Sequence, residues 1–272
     1  MSETRAVRVV RVSDQGIADE MDVAAVEEPL EIRLHDRSFV VIMRTPGADR
    51  ELAAGFLLSE GVISGADDLG AVEYCRHPDH AEAHNVVNVF LMGAARERFD
   101  VTMEQRRNVL ASSSCGICGR TSIDSLQTRI GPVTARSSFA ATVLRSLPDR
   151  LRERQAVFER TGGLHGAALF TKDGAFVASA EDVGRHNAVD KVVGRLLFDE
   201  RLPLAAHVLV VSGRTSFEIV QKAWFAGVEI ICAVSAPSSL AVELADEAGI
   251  TLIGFAREAG FNVYTHSARL QA

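Results

Sequence analysis

Hydrophobic and polar positions change their period along the chain, and the change divides it. Residues 6–12 alternate and predict a short strand. Glu31–Leu34 and Phe39–Met43 are apolar runs flanking His35-Asp36-Arg37-Ser38, which predicts a hairpin. Arg50–Gly61 has helical periodicity and stops at a glycine. Ala71–Arg76 and Val86–Met92 predict two more strands around a polar loop, and Val101 is expected to lead another.

After Arg120 the pattern becomes helix and strand in turn. Phe139–Leu147 and Arg150–Arg160 read as helices, with Pro148 as the break between them or a first-turn residue. Ala167–Thr171 and Ala175–Ala180 read as strands turning at Lys172-Asp173-Gly174. Then come helix Asn187–Phe198, strand Val208–Ser212, helix Phe217–Ala226, strand Val228–Val234, helix Leu240–Ala248, strand Ile250–Phe255 and strand Phe261–Tyr264. Wholly apolar strands separated by helices mean a sheet covered on both faces and parallel in this part. The expected fold class is α/β, a three-layer sheet with helices on both faces plus a smaller N-terminal β-rich extension. The expected division is residues 1–110, a connector over 111–137, and the α/β core over 138–272.

Composition is that of an ordinary globular chain, 47% hydrophobic and 24% charged over 272 residues. A formal net charge of −7 argues against generic binding to nucleic acid or acidic membranes. No apolar run reaches the length of a membrane span, and the N-terminus has no signal-peptide core. The four cysteines do not make a disulfide framework, so a reducing, cytoplasmic setting is expected.

Two of those cysteines lie in Ser112-Ser113-Ser114-Cys115-Gly116-Ile117-Cys118-Gly119-Arg120. Only Ile117 there suits a core, so the segment reads as an exposed loop. It suits half of a metal site, a dithiol, or a persulfide carrier. Cys75 and Cys232 sit alone in predicted strands, which weakens a zinc ribbon. His80-Ala81-Glu82 followed by Cys115 and Cys118 approaches the zinc-deaminase signature. Ser114, however, stands where that signature has proline, and His80 lies in a polar loop. A thioredoxin-like dithiol would follow a strand and open a helix, unlike this serine-rich approach. A nucleophilic cysteine with Arg120 nearby to favour its thiolate is left as the better reading.

Three turns at the carboxyl ends of the buried strands are read as strand-to-helix turns. They are Ser212-Gly213-Arg214-Thr215-Ser216, Ser235-Ala236-Pro237-Ser238-Ser239, and Phe255-Ala256-Arg257-Glu258-Ala259-Gly260. Open α/β sheets bind ligands at that edge, and helix N-termini with Arg214 and Arg257 suit a phosphorylated ligand. Serines before helices are also ordinary N-caps. His165, in the run from Thr161 to Gly166, and His186, in the run from Glu181 to Asn187, are candidate acids, bases or donors beside that edge.

These segments, in this order, resemble the formate dehydrogenase accessory sulfurtransferase (FdhD) family over nearly the whole chain. The resemblance is carried by Arg50–Gly61, SCGICG, TGGLHGAALF at Thr161–Phe170, EDVGRHNAVDKVVG at Glu181–Gly194, SGRTSFE at Ser212–Glu218 and the ending GFAREAGFNVYTH. It implies a cytidine-deaminase-like fold without the deaminase metal. It implies a sulfur carrier loaded by a cysteine desulfurase, with Cys115 holding the persulfide and Cys118 matching the second cysteine. The acceptor implied is molybdenum bis(molybdopterin guanine dinucleotide) bound for the formate dehydrogenase catalytic subunit, with GDP as a mimic. The cofactor segment falls on Phe255, Ala256, Arg257, Glu258, Ala259 and Gly260, and the resemblance also implies a homodimer. The remaining alternatives are a cofactor chaperone without persulfide chemistry and a zinc-dependent deaminase.

Overall fold

The computed structural model describes residues 2–75, 83–107, 131–134 and 137–271. His80, Cys115 and Cys118 lie outside the described residues, as does most of the connector.

The apolar runs become a six-stranded sheet. Its strands are β8 (His165–Thr171), β9 (Phe176–Asp182), β10 (His207–Val211), β11 (Ile230–Ala233), β12 (Thr251–Arg257) and β13 (Gly260–Val263), in the order β13-β12-β11-β10-β8-β9. β10, β11 and β12 are parallel, as the continuous apolar runs predict; β8, β9 and β13 run antiparallel to their neighbours. Side chains alternate between two cores. Ala168, Phe170, Val208, Val210, Ile230, Cys232 and Ile253 face α4 (Ala141–Arg152) through its Leu144, Leu147 and Leu151. Ala167, Leu169, Leu209, Val211, Ile231 and Leu252 face the other way. There they meet α6 (Arg185–Phe198), α7 (Phe217–Phe225) and α8 (Ser239–Glu247).

That second core is shared with the N-terminal half. A four-stranded sheet in the order β4-β3-β6-β5 is built from β3 (Glu28–Leu34), β4 (Arg37–Arg44), β5 (Leu69–Tyr74) and β6 (Val86–Leu91). Leu30, Ile32, Leu34, Val87 and Val89 bury into the same cluster as α6 and α7. Between the sheets lies α1 (Asp49–Ser59), pressed against α6. A Cβ on Gly55 would sit 2.0 Å from the Asp190 carbonyl oxygen, and one on Gly194 would sit 1.9 Å from that of Glu51. Glycine in a helix interior costs about 1 kcal/mol against alanine, and backbone-to-backbone contact is the reason it stands here. Asp190 and Lys222 bind across the α6–α7 contact, with Nζ 2.9 and 2.8 Å from the two carboxylate oxygens, and Ser59 of α1 adds its hydroxyl at 2.9 Å.

Several expectations are corrected. Pro148 does not break the helix: α4 runs through it, because Leu144, Leu147 and Leu151 keep one buried stripe that offsets the lost bond. The break falls later, before α5 (Ala156–Thr161). Val101 leads no strand; after α2 (Gly93–Glu97) it lies in α3 (Phe99–Arg107), anchored by buried Phe99 and Met103. The N-terminal strand is longer than expected and has a partner: β1 (Thr4–Ser13) pairs antiparallel with β2 (Gly16–Ala25). A short parallel pair joins β7 (Phe139–Ala140) to β14 (Leu270–Gln271).

Candidate functional site

β8 and β9 meet β10, β11 and β12 at one sheet edge, since His165 opens β8 opposite Asp182 at the end of β9. Ser212 and Gly166 exchange backbone and side-chain bonds there: the Ser212 N–H donates to the Gly166 carbonyl at 3.0 Å, and the Gly166 N–H to Ser212 Oγ at 2.9 Å. The next loop is tied on by the Thr215 N–H to the Ala236 carbonyl (3.2 Å) and the Ser238 N–H to the Thr215 carbonyl (3.0 Å). The third follows through the Phe255 N–H to the Ser235 carbonyl, 3.2 Å. The structure therefore brings Ser212, Gly213, Arg214, Thr215, Ser235 and the Phe255–Gly260 segment into one row.

Two histidines join them. His165 is not in a turn but begins a strand, with its ring against Gly213. His186 is in the first turn of α6, its Nε2 3.0 Å from Ser216 Oγ and 2.6 Å from Glu218 Oε2. A carboxylate only accepts, so the short contact places a proton on Nε2. Ser216 is the N-cap of α7 by position, yet its hydroxyl turns to His186 rather than to the helix, whereas Ser238 caps α8 by accepting from the Ala241 N–H. The N-cap reading thus holds for one serine and fails for the other.

Burial pushes the His165 pKa down from its ordinary 6.5, and Arg185, His186 and Arg214 push it further the same way, against Asp182. Arg185 and Arg214 place two guanidinium charges near His165 in a chain whose net charge is −7. Asp182 is fully buried and busy: it faces Lys191 Nζ at 2.7 Å and accepts from the Thr45 and Gly184 N–H groups and the Asn187 side-chain amide. It fixes the turn into α6. Among the described residues, Arg185 Nε, Thr215 Oγ1 and Glu218 Oε1 are buried without a hydrogen-bond partner. Three such atoms near one edge are unusual in a finished core.

Two sequence expectations change in detail. The Phe255–Gly260 segment does not lead into a helix; it is the tight turn between β12 and β13, with Glu258 and Ala259 at its tip. The strand pattern resumes at once after Gly260, which leaves no room for a helix. Arg257 turns back, its Nη1 donating to the Val234 and Ala256 carbonyls at 2.5 and 2.7 Å, while Arg214 is exposed. Phe255 sits on an irregular stretch of strand with φ 54 and an exposed ring, a left-handed conformation that a bulky residue rarely adopts. Arg185 and Glu218 were not singled out from sequence, although Arg185 lies in the Glu181–Asn187 run and Glu218 ends SGRTSFE; Ser216 was named there only as the last residue of the first turn. Cys75, expected inside a strand, is half-buried just after β5, and Cys232 is fully buried with its thiol pushed up to about 12.

The architecture defines an α/β protein whose parallel strands end in a row of loops, with Arg185, Arg214, His165 and His186 beside them. A profile of the FdhD/NarQ family matches residues 25–271. A protein named sulfur carrier protein FdhD from Streptomyces coelicolor is 50% identical over 277 residues, covering 98% of this chain and 95% of that one. One of the same name from Mycolicibacterium paratuberculosis is 47% identical over 275 residues, covering 99% and 100%. The crystal structure of a formate dehydrogenase accessory protein from Desulfotalea psychrophila superposes with a TM-score of 0.77 at 24% identity, covering 99% of this chain and 100% of that one. The chain belongs to the FdhD/NarQ family.

Proposed function

We propose that this protein is a sulfur carrier serving formate dehydrogenase. In this reading it takes sulfur from a cysteine desulfurase as a persulfide on Cys115 and delivers it to molybdenum bis(molybdopterin guanine dinucleotide), held as cargo in the crevice. The observation that carries the reading is the convergence of Arg185, Arg214, His165 and His186 with the N-termini of α6 and α7 on one edge. Helix N-termini and arginine forks suit a diphosphate, and the exposed Phe255 ring suits stacking on a base or pterin. The sulfur step rests on the Cys115–Cys118 loop in the sequence and on the names of the relatives. The same reading makes the sheet cytidine-deaminase-like, the carrier cytoplasmic and the working unit a homodimer. Parallel β10, β11 and β12 with helices on both faces support the first of these.

Calorimetric titration with GDP and ADP tests the crevice. Wild type should prefer GDP, and Arg214→Ala should weaken it roughly ten- to a hundredfold, the effect of losing one charge-assisted bond worth about 1.5–3 kcal/mol. An unchanged constant in Arg214→Ala, or no GDP binding at all, removes this site. Intact mass after incubation with a desulfurase and cysteine tests the sulfur step. One sulfur should appear on wild type and not on Cys115→Ser; no gain on wild type leaves only the chaperone role.

A further inference from the structure

β5 is the outermost strand of the four-stranded sheet, and among the described residues it pairs with β6 alone. In an antiparallel ladder successive residues turn their N–H and C=O groups alternately toward the partner strand and away from it. The Cys75 N–H donates to the Val86 carbonyl at 2.9 Å, so Cys75 turns toward β6. Glu73, two residues earlier and opposite Asn88, does the same. Val72 and Tyr74 therefore aim their N–H and C=O groups outward. The partner strand agrees: Val89, opposite Val72, accepts at its carbonyl from the His35 N–H, 3.1 Å away on the β3 side. Natural sheets blunt their open edges. The irregular register between Leu69 and Val72 does this for the start of β5, but not for Val72 and Tyr74.

A groove of about 590 Å³ runs beside that open edge for the full strand. Its far wall is helical: Arg50 in the first turn of α1, Phe198 closing α6, and Glu200 just beyond. Leu69, Val72 and Phe198 make an apolar floor. The Arg50 guanidinium lies over the Phe198 ring, 5.7 Å from its centre. The rise of α6 from His186 to Phe198 is about 18 Å, so the groove lies apart from the crevice.

We propose that an extended segment of another protein, apolar with a basic side chain, adds to β5 as a fifth strand and lies in this groove. The proposal goes beyond the sulfur and nucleotide reading and does not rest on it. The recognition chemistry is in the backbone. Val72 and Tyr74 stand two residues apart, about 6.8 Å along the strand, and each offers one donor and one acceptor. A polypeptide in strand conformation repeats its own donor and acceptor at that spacing, which a lipid headgroup or a nucleic acid does not. Its alternate side chains then reach the apolar floor. Charge sets the rest. Glu73 and Glu200 line the groove against Arg50, in a chain of net charge −7. A basic side chain beside Glu200 fits that wall, and an acidic one does not.

Fluorescence anisotropy of the full chain with a labelled heptapeptide is the experiment, the peptide alternating threonine with valine, valine and lysine in turn. Binding should saturate. Glutamate in place of the peptide's lysine should weaken it about fivefold, the upper end for one exposed ion pair. Glu200→Lys, at an exposed position, should remove that preference and leave the thermal midpoint unchanged. Two further peptides, N-methylated on alternate residues, test the backbone. The one methylated on its edge-facing residues should bind at least about tenfold more weakly, and the other should keep its affinity. Amide exchange gives an independent reading: the Val72 and Tyr74 N–H groups should exchange fast in the free chain and slow when the peptide is added. No saturable binding, equal losses with the two methylated peptides, or a preference that survives Glu200→Lys overturns the proposal. So does slow exchange at Val72 and Tyr74 in the free chain, which would mean that a second copy or the chain itself already covers this edge.

Discussion

Replacing Lys222 by methionine keeps the length of the side chain and removes its charge. The Asp190 carboxylate is then left 2% exposed, with the Ser59 hydroxyl at 3.4 Å as its hydrogen-bond partner among the described residues. Breaking one partner of a buried pair costs about 3–5 kcal/mol, because the surviving charge has neither water nor counterion. With a urea dependence of about 3 kcal/mol/M for a chain of this size, the midpoint should fall by about 1 M or more. Asp190→Asn/Lys222→Met should recover much of this, since an amide beside Ser59 carries no charge to strand. Burial already pushes the Asp190 pKa up, and Lys222 opposes that push. In the methionine variant the opposition is gone. A carboxyl whose folded pKa lies above its unfolded value contributes stability that is present below the unfolded pKa and is lost as pH rises through the folded one. The stability of Lys222→Met should therefore improve as pH falls from 8 toward 5. Urea titrations across that range, with the double-mutant cycle at pH 7, check the reasoning. A loss under about 1 kcal/mol, or strictly additive single changes, would refute it.

Gly55→Ala must push α1 and α6 apart against a carbonyl oxygen 2.0 Å away, and should cost about 3 kcal/mol or more in urea unfolding; Gly65→Ala, with open space around it, serves as the near-neutral control. His165 has a folded pKa below the ordinary 6.5, so the stability it allows is present above that value and is lost as pH falls through the folded pKa. His165→Gln should therefore lose less of its thermal midpoint than wild type between pH 7 and 5, and an equal decline would show that His165 is not the titrating group.

The parallel strands were legible because each is a short, wholly apolar run, and no tertiary information is needed to see one. Pro148 and Val101 were misread for a shared reason. Propensity is local, whereas the stripe Leu144-Leu147-Leu151 and the buried pair Phe99 and Met103 draw their stability from what they pack against. β2 was missed because Asp19, Glu20 and Asp22 are poor strand formers, and the turn at Asp14-Gln15-Gly16 was the only cue. Gly55 and Gly194 stood in plain view inside helical patterns, where an unexplained glycine already asks for a close approach. The contact between His186 and Glu218 could not be seen at all. It joins residues at the starts of two helices, and only the sheet that both helices cover fixes their distance.

The charge at the crevice has a consequence that the net charge hides. Arg185 and Arg214 lie at the edge with Glu218 close to His186, while Asp182 is drawn into Lys191 and the turn below. The seven excess negative charges belong to the chain as a whole, and any of them farther from the edge than the Debye length of about 8 Å at physiological salt is largely screened. If the proposed site holds an anion, then at low salt the acidic net charge repels that anion while Arg185 and Arg214 attract it. As salt rises the distant repulsion is screened first and the local attraction last. Association of an anionic ligand should therefore slow only weakly with added salt, or even quicken at the low end, while its dissociation quickens steadily once the Debye length approaches contact distance. Stopped-flow binding of a fluorescent guanosine diphosphate across ionic strength separates the two rates. An association rate that falls steeply and monotonically from the lowest salt would mean that the ligand sees a basic field extending well outside the crevice, which this distribution of residues does not provide.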